Sequence, residues 1–248
     1  MEEKMPGSGD TGTAPLPIRT ARLWVLLAAL SGCKLADPHQ PNLDQVFELS
    51  ASSLVLEADG VSRADVEVVL VGETPANATV KYSVDTGRFL EAPQSAAGAY
   101  DVTATAGHAH ATYVAPTRIG TATVGATVSG LRRSITITLV RALPDSIRLT
   151  ADRASAKADG NEAIVLSARL LRDEIRGSVS QGTSVRFVVL DASGNEVTNL
   201  AGEETVESTS GTVTHRLTSR IPGTFRVRAV ILDSGRQIVS GDVVVTFT

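Results

Sequence analysis

Leu49-Ser-Ala-Ser-Ser-Leu-Val-Leu-Glu-Ala-Asp-Gly60 aligns without a gap on Leu149-Thr-Ala-Asp-Arg-Ala-Ser-Ala-Lys-Ala-Asp-Gly160, about 100 residues downstream. Two further matches follow in the same order. Ile119-Gly-Thr-Ala-Thr-Val-Gly-Ala-Thr-Val128 parallels Pro222-Gly-Thr-Phe-Arg-Val-Arg-Ala-Val-Ile231, and Ile135-Thr-Ile-Thr-Leu139 parallels Val243-Val-Val-Thr-Phe247. Three matches in the same order mark duplication of a whole domain. Inside the copies, apolar and polar residues alternate. Phe225, Val227, Ala229 and Ile231 share one parity, with Arg226 and Arg228 on the other. Val185, Phe187 and Val189 alternate with Arg186, Val80, Tyr82 and Val84 with Lys81 and Ser83, and Val66, Val68 and Leu70 with Glu67. A period of two belongs to strands with one face in a core and the other in water. Asp59-Gly60, Asp159-Gly160, Ser193-Gly194-Asn195 and Ser234-Gly235 supply turn signals between the runs. No window long enough for a helix keeps a 3.6-residue period outside the N-terminal leader. The sequence predicts an all-β chain of two antiparallel sandwiches, over residues 47–141 and 146–248.

A family pattern is visible in the second copy. It has the Ala158-Asp-Gly160 turn closing the first strand, alternating strands after it, and then Asp191-Ala-Ser-Gly-Asn195. Gly211-Thr-Val-Thr-His-Arg-Leu-Thr-Ser219 and Pro222-Gly-Thr224 complete it. Residues 147–248 resemble the bacterial immunoglobulin-like domains of the invasin/intimin type (group 1), and residues 47–140 resemble them more loosely. In the first copy, Gly107-His-Ala-His-Ala-Thr-Tyr113 departs from the pattern and the Asp-x-x-Gly-Asn segment is missing. The resemblance implies immunoglobulin-like sandwiches, modules that serve mainly as stalks holding something else away from a membrane. The connection Arg141-Ala-Leu-Pro-Asp-Ser146 is short and contains Pro144, so the two sandwiches are expected to stack end to end.

Ahead of the copies, Arg19 and Arg22 precede the apolar run Leu23–Leu30, followed by Ser31-Gly32-Cys33. That is the layout of an export signal, and the run is too short for a transmembrane helix, which takes about 20 apolar residues. Leu30-Ser31-Gly32-Cys33 resembles a bacterial lipobox. The resemblance implies a signal peptide over residues 1–32, removed on export, with Cys33 lipidated and holding the mature chain to a membrane. The bland alternative is an ordinary secretory signal with Cys33 a bystander. Cys33 is the only cysteine, so no internal disulfide can form. Residues 33–46, polar and interrupted by Pro38 and Pro41, read as a flexible tether. Lys34 stands where some inner-membrane lipoproteins carry a retaining Asp, so the expected destination is the outer membrane.

The remaining composition restricts the chemistry. The leader contains three basic and three acidic residues, so its removal leaves the net charge at −4. Nothing in that balance attracts nucleic acid. Nucleophilic hydrolysis needs a Ser or Cys beside a His, and no Gly-x-Ser-x-Gly elbow occurs. His39 falls in the tether, and His215 shares parity with Val213 and Leu217 and reads as a structural residue at the core rim. His108-Ala-His110 would point both imidazoles the same way from a strand, but two ligands make no metal site. Asp101, on a neighbouring strand, is the nearest third candidate. Asp59 and Asp159 sit beside glycine as turn residues, and Asp145 with a loop acid is the remaining calcium candidate. Glu203 and Glu204 are adjacent and point apart, which does not suit glycoside hydrolysis.

These readings predict a non-enzymatic, lipid-anchored envelope protein with no cofactor or assigned metal, acting as a spacer or an adhesion/protein-interaction module through a protein partner. The alternative is a carbohydrate-binding or accessory module of an envelope complex. Sugar sites usually offer exposed rings, and parity leaves Phe89, Tyr100 and Tyr113 as the candidates, since Trp24 lies in the leader. Candidate binding loops are residues 73–78, 91–98, 191–199 and 201–210.

Overall fold

The computed structural model of the chain describes residues 46–96, 98–207, 210–233 and 235–248. The expected signal peptide, Cys33 and the tether up to residue 45 lie outside the described residues. The first copy contains β1 (Phe47–Ala51), β2 (Val55–Glu57), β3 (Arg63–Leu70), β4 (Thr79–Val84), β5 (Arg88–Phe89), β6 (Ala99–Thr103), β7 (His108–Val114), β8 (Gly120–Val128) and β9 (Leu131–Val140). One sheet runs β1-β3-β7-β5 and the facing sheet β2-β9-β8-β4-β6. The second copy contains β10 (Ser146–Ala151), β11 (Ser155–Ala156), β12 (Ile164–Leu171), β13 (Ser184–Leu190), β14 (Gly202–Thr205), β15 (Thr212–Leu217), β16 (Gly223–Asp233), β17 (Arg236–Val239) and β18 (Val243–Phe247). Its sheets run β10-β12-β15 and β11-β18-β16-β13-β14, with β17 also on β16. The chain is all-β, two tandem immunoglobulin-like sandwiches.

Alternation explains both cores. Val66 and Val68 of β3, Tyr82 of β4, Tyr113 of β7 and Val124 of β8 are buried between the first pair of sheets, with Phe47, Phe89 and Ile137. Phe187, Val227, Ile231, Val245 and Phe247 meet Ile164, Leu166 and Leu217 in the second. Each of the Val, Leu, Ile and Phe side chains stabilises its sandwich by about 1.5–3 kcal/mol on leaving water. Gly107–Tyr113, irregular by family pattern, forms a regular strand: Ala109, Ala111 and Tyr113 face inward and His108 and His110 outward.

The internal repeat is also a repeat of register. Leu49 lies opposite Val68 and Leu149 opposite Ala168. Gly120 lies opposite Leu139 and Gly223 opposite Phe247. Two features go beyond the antiparallel expectation. Each first strand breaks and crosses to the other sheet, where β2 pairs parallel with β9 and β11 with β18. The long β9 of the first copy is split in the second. There Ser240 separates β17 from β18, and its Oγ accepts the Ala229 N–H at 2.8 Å.

Candidate functional site

The Ala-Asp-Gly turn is built alike in both copies. Asp59 Oδ1 accepts the N–H groups of Val61 and Ser62 at 2.8 and 2.7 Å. Asp159 Oδ1 accepts those of Asn161 and Glu162 at 2.7 and 2.8 Å. Gly60 and Gly160 take φ of +85° and +80°, where glycine is favoured. Asp159 is exposed, and the N–H groups of Glu162 and Asn161 hold its carboxyl below the ordinary range. Asp59 is buried, because the segment after β12 closes over it.

That segment, residues 172–183, forms the joint between the sandwiches. Ser178 N–H donates to Asp59 O and Gln181 N–H to Thr117 O, both at 2.8 Å. Ser180, fully buried, donates its Oγ proton to Ala58 O at 2.7 Å and accepts Ala142 N–H at 2.8 Å. Gly177, at φ +76°, lies so close that a Cβ would fall 2.6 Å from Asp59 O. Arg172, its side chain 2% exposed, hydrogen-bonds Glu57 and lies 3.9 Å from Asp59 Oδ2. A guanidinium so buried is costly unless its partners are fixed. Here both partners belong to the other sandwich.

The expected calcium candidate is engaged elsewhere. Asp145 accepts the Asp173 N–H at 3.0 Å and Arg176 Nη1 at 2.7 Å, and these neighbours hold its carboxyl below the ordinary range. His215, read as structural, stacks on Phe187 with centroids 5.0 Å apart and Nδ1 3.1 Å from Glu204 Oε1. It rests on Gly202, where a Cβ would come within 2.1 Å of its ring. Residues 201–210, taken as a loop, include the strand β14.

Two readings need correction. Phe89 and Tyr113 are fully buried, not exposed, and Tyr100 packs against the same core. Phe89 and Tyr113 lie opposite each other on β5 and β7, a pairing that parity within one strand does not reveal. Among the described residues no Phe or Tyr is exposed, and Tyr100 is half-buried. The second correction concerns the histidine pair. Asp101 lies on β6, in the opposite sheet, 4.0 Å from Lys81 Nζ. The carboxylate beside the histidines is Glu67, opposite His110 in the β3–β7 register. Its Oε1 is 2.8 Å from His108 Nδ1 and 3.8 Å from His110 Nε2. Glu67 stood in the sequence as one polar residue of an alternating strand, and only the β3–β7 register singles it out.

No protein-family model matches this sequence, and no curated protein is similar to it in sequence. Among solved structures it is similar to the Yersinia pseudotuberculosis adhesin InvE, at 20% identity and a TM-score of 0.55, over 82% of this chain and 58% of that one. It is also similar to invasin, a bacterial integrin-binding protein, at 22% identity and a TM-score of 0.54, over 82% of this chain and 39% of that one. The chain thus spans less than two-thirds of the length of either protein. At these identities the likeness is one of fold.

Proposed function

We propose that this chain is a non-enzymatic, lipid-anchored protein of the bacterial envelope, whose sandwiches form a stiff spacer carrying an adhesion or protein-interaction surface. The observation that carries the reading is the joint. A spacer transmits position only if its modules do not swivel, and here Arg172, Ser180 and Gly177 lock one sandwich to the other. Support also comes from the fold shared with InvE and invasin. The anchor is assigned to Cys33 on the strength of Leu30-Ser31-Gly32-Cys33. Loops and unpaired sheet edges are the surfaces available to a protein partner.

Protease treatment of intact host cells, beside a Cys33→Ala variant, tests the reading. The expected result is cleavage of the wild-type sandwiches from intact cells and release of the variant in soluble form. A variant that stays membrane-bound overturns the lipid anchor. Resistance until the outer envelope is opened overturns the adhesive role and leaves a periplasmic spacer.

A further inference from the structure

We propose that Glu67, His108 and His110 form a surface site for a divalent transition-metal ion of the zinc or copper class. The ligands come from adjacent strands whose backbones are fixed by seven register pairs, from Arg63–Val114 to Val69–His108. His108 and His110, two apart on β7, stand on the same face, their rings 6.4 Å apart and inclined by only 8°. Glu67 rises between them from β3. One ligand atom from each residue lies within 4.8 Å of the others.

A zinc ion bound to imidazole nitrogens at 2.0–2.1 Å in tetrahedral geometry would set them roughly 3.3 Å apart. Side-chain rotation suffices to close that distance, because the imidazoles are 51% and 65% exposed. Their backbones need not move. The donor set selects the ion. Two imidazoles and one carboxylate suit zinc or copper, whereas calcium and magnesium require a shell of oxygens. The surroundings favour a cation. Asp65 stands two residues along β3 on the same face, and it lines with Ser50, Glu67, His110 and Thr112 an open depression of about 480 Å³. Three protein ligands leave the remaining coordination positions facing solvent, as an exchangeable ion requires.

The site uses none of the residues that form the joint, and it neither needs the lipid anchor nor depends on the spacer role. Its test is titration of the full chain with zinc chloride and, separately, copper(II) chloride, by calorimetry and by electron paramagnetic resonance of the copper form. We expect one ion per chain at this face, with nitrogen hyperfine structure from two imidazoles. His108→Ala and His110→Ala should each weaken binding by roughly tenfold or more, and Glu67→Gln should weaken it less. His215→Ala and Cys33→Ala should leave it unchanged. The idea is overturned if the His108→Ala/His110→Ala double variant binds like the wild type, or if binding disappears with Cys33 or His215 instead. Paramagnetic broadening of the wild-type His108 and His110 resonances by copper supplies a readout that needs no variant. Undisturbed resonances at saturating copper would overturn the site equally.

Discussion

Tyr82 and Tyr113 are chemically equivalent in the sequence and opposite in their polar accounts. Tyr82 Oη donates to Ala109 O at 2.7 Å, tying the two sheets together inside the core. Tyr113 Oη is buried with no hydrogen-bond partner among the described residues. Tyr82→Phe should therefore cost about 1 kcal/mol, while Tyr113→Phe should be neutral or slightly stabilising, as urea unfolding of the two variants would read. Both phenols are pushed up from the ordinary value of 10.0, chiefly because burial penalises the anion. The unfolded chain ionises near 10.0 while the folded chain stays neutral. Stability from these residues is thus intact below that pH and lost as pH rises beyond it. Urea midpoints measured at about pH 9 and about pH 11 should fall, and less steeply in the Tyr82→Phe/Tyr113→Phe double variant. At this scale the sequence shows which residues alternate but not their partners. Tyr82 is assigned inward by parity alone, whereas Tyr113 lies in a strand that departs from the family pattern and stands among the candidates for exposure until the β5–β7 pairing buries it. Glu67 is the sharper case, since its neighbours His108 and His110 lie 41 and 43 positions away and only strand pairing makes them adjacent.

Elements were more readable where the duplication gave two views of one strand. The match of Ile119–Val128 with Pro222–Ile231 marks β8 and β16, and its glycines, Gly120 and Gly223, fall at the two strand starts. What eluded the pattern was the short or interrupted element. β14 is four residues, Gly202–Thr205, too few to show alternation, and β5 is two. β14 nevertheless joins the sheets, because His215 of β15 lies over Gly202 and bonds Glu204 beside it. Gly202→Ala would drive a methyl into that imidazole ring. The variant should lose about 1–3 kcal/mol of stability, with thermal unfolding as the measurement. Adding His215→Ala should recover part of that loss, which separates the clash from any weakening of β14 itself.

At the scale of the molecule, the duplicated turn has two fates. The exposed Asp159 turn is an ordinary loop, and the Asp59 turn is the seat of the second sandwich. Local sequence could not distinguish them, because the difference lies in residues 172–183, more than a hundred positions downstream. Arg172→Ala should cost about 1.5–3 kcal/mol by removing the charge-assisted hydrogen bond to Glu57, whose carboxylate is 41% exposed. Gly177→Ala should strain the same seat through its positive φ and its approach to Asp59 O. Small-angle scattering from either variant should show a broader spread of inter-sandwich angles than the wild type, and an unchanged profile would count against a locked joint. The two parallel pairings, β2 with β9 and β11 with β18, matter once the protein is pulled. In each sandwich the early strand and the last strand run the same way, held by bonds such as Thr138 N to Leu54 O and Thr246 N to Ala154 O. Tension drawing those strands apart along their length loads all the bonds of a pair together in shear, whereas a hairpin would unzip one rung at a time. Each sandwich would hold until the whole short ladder yields, and would then lengthen abruptly.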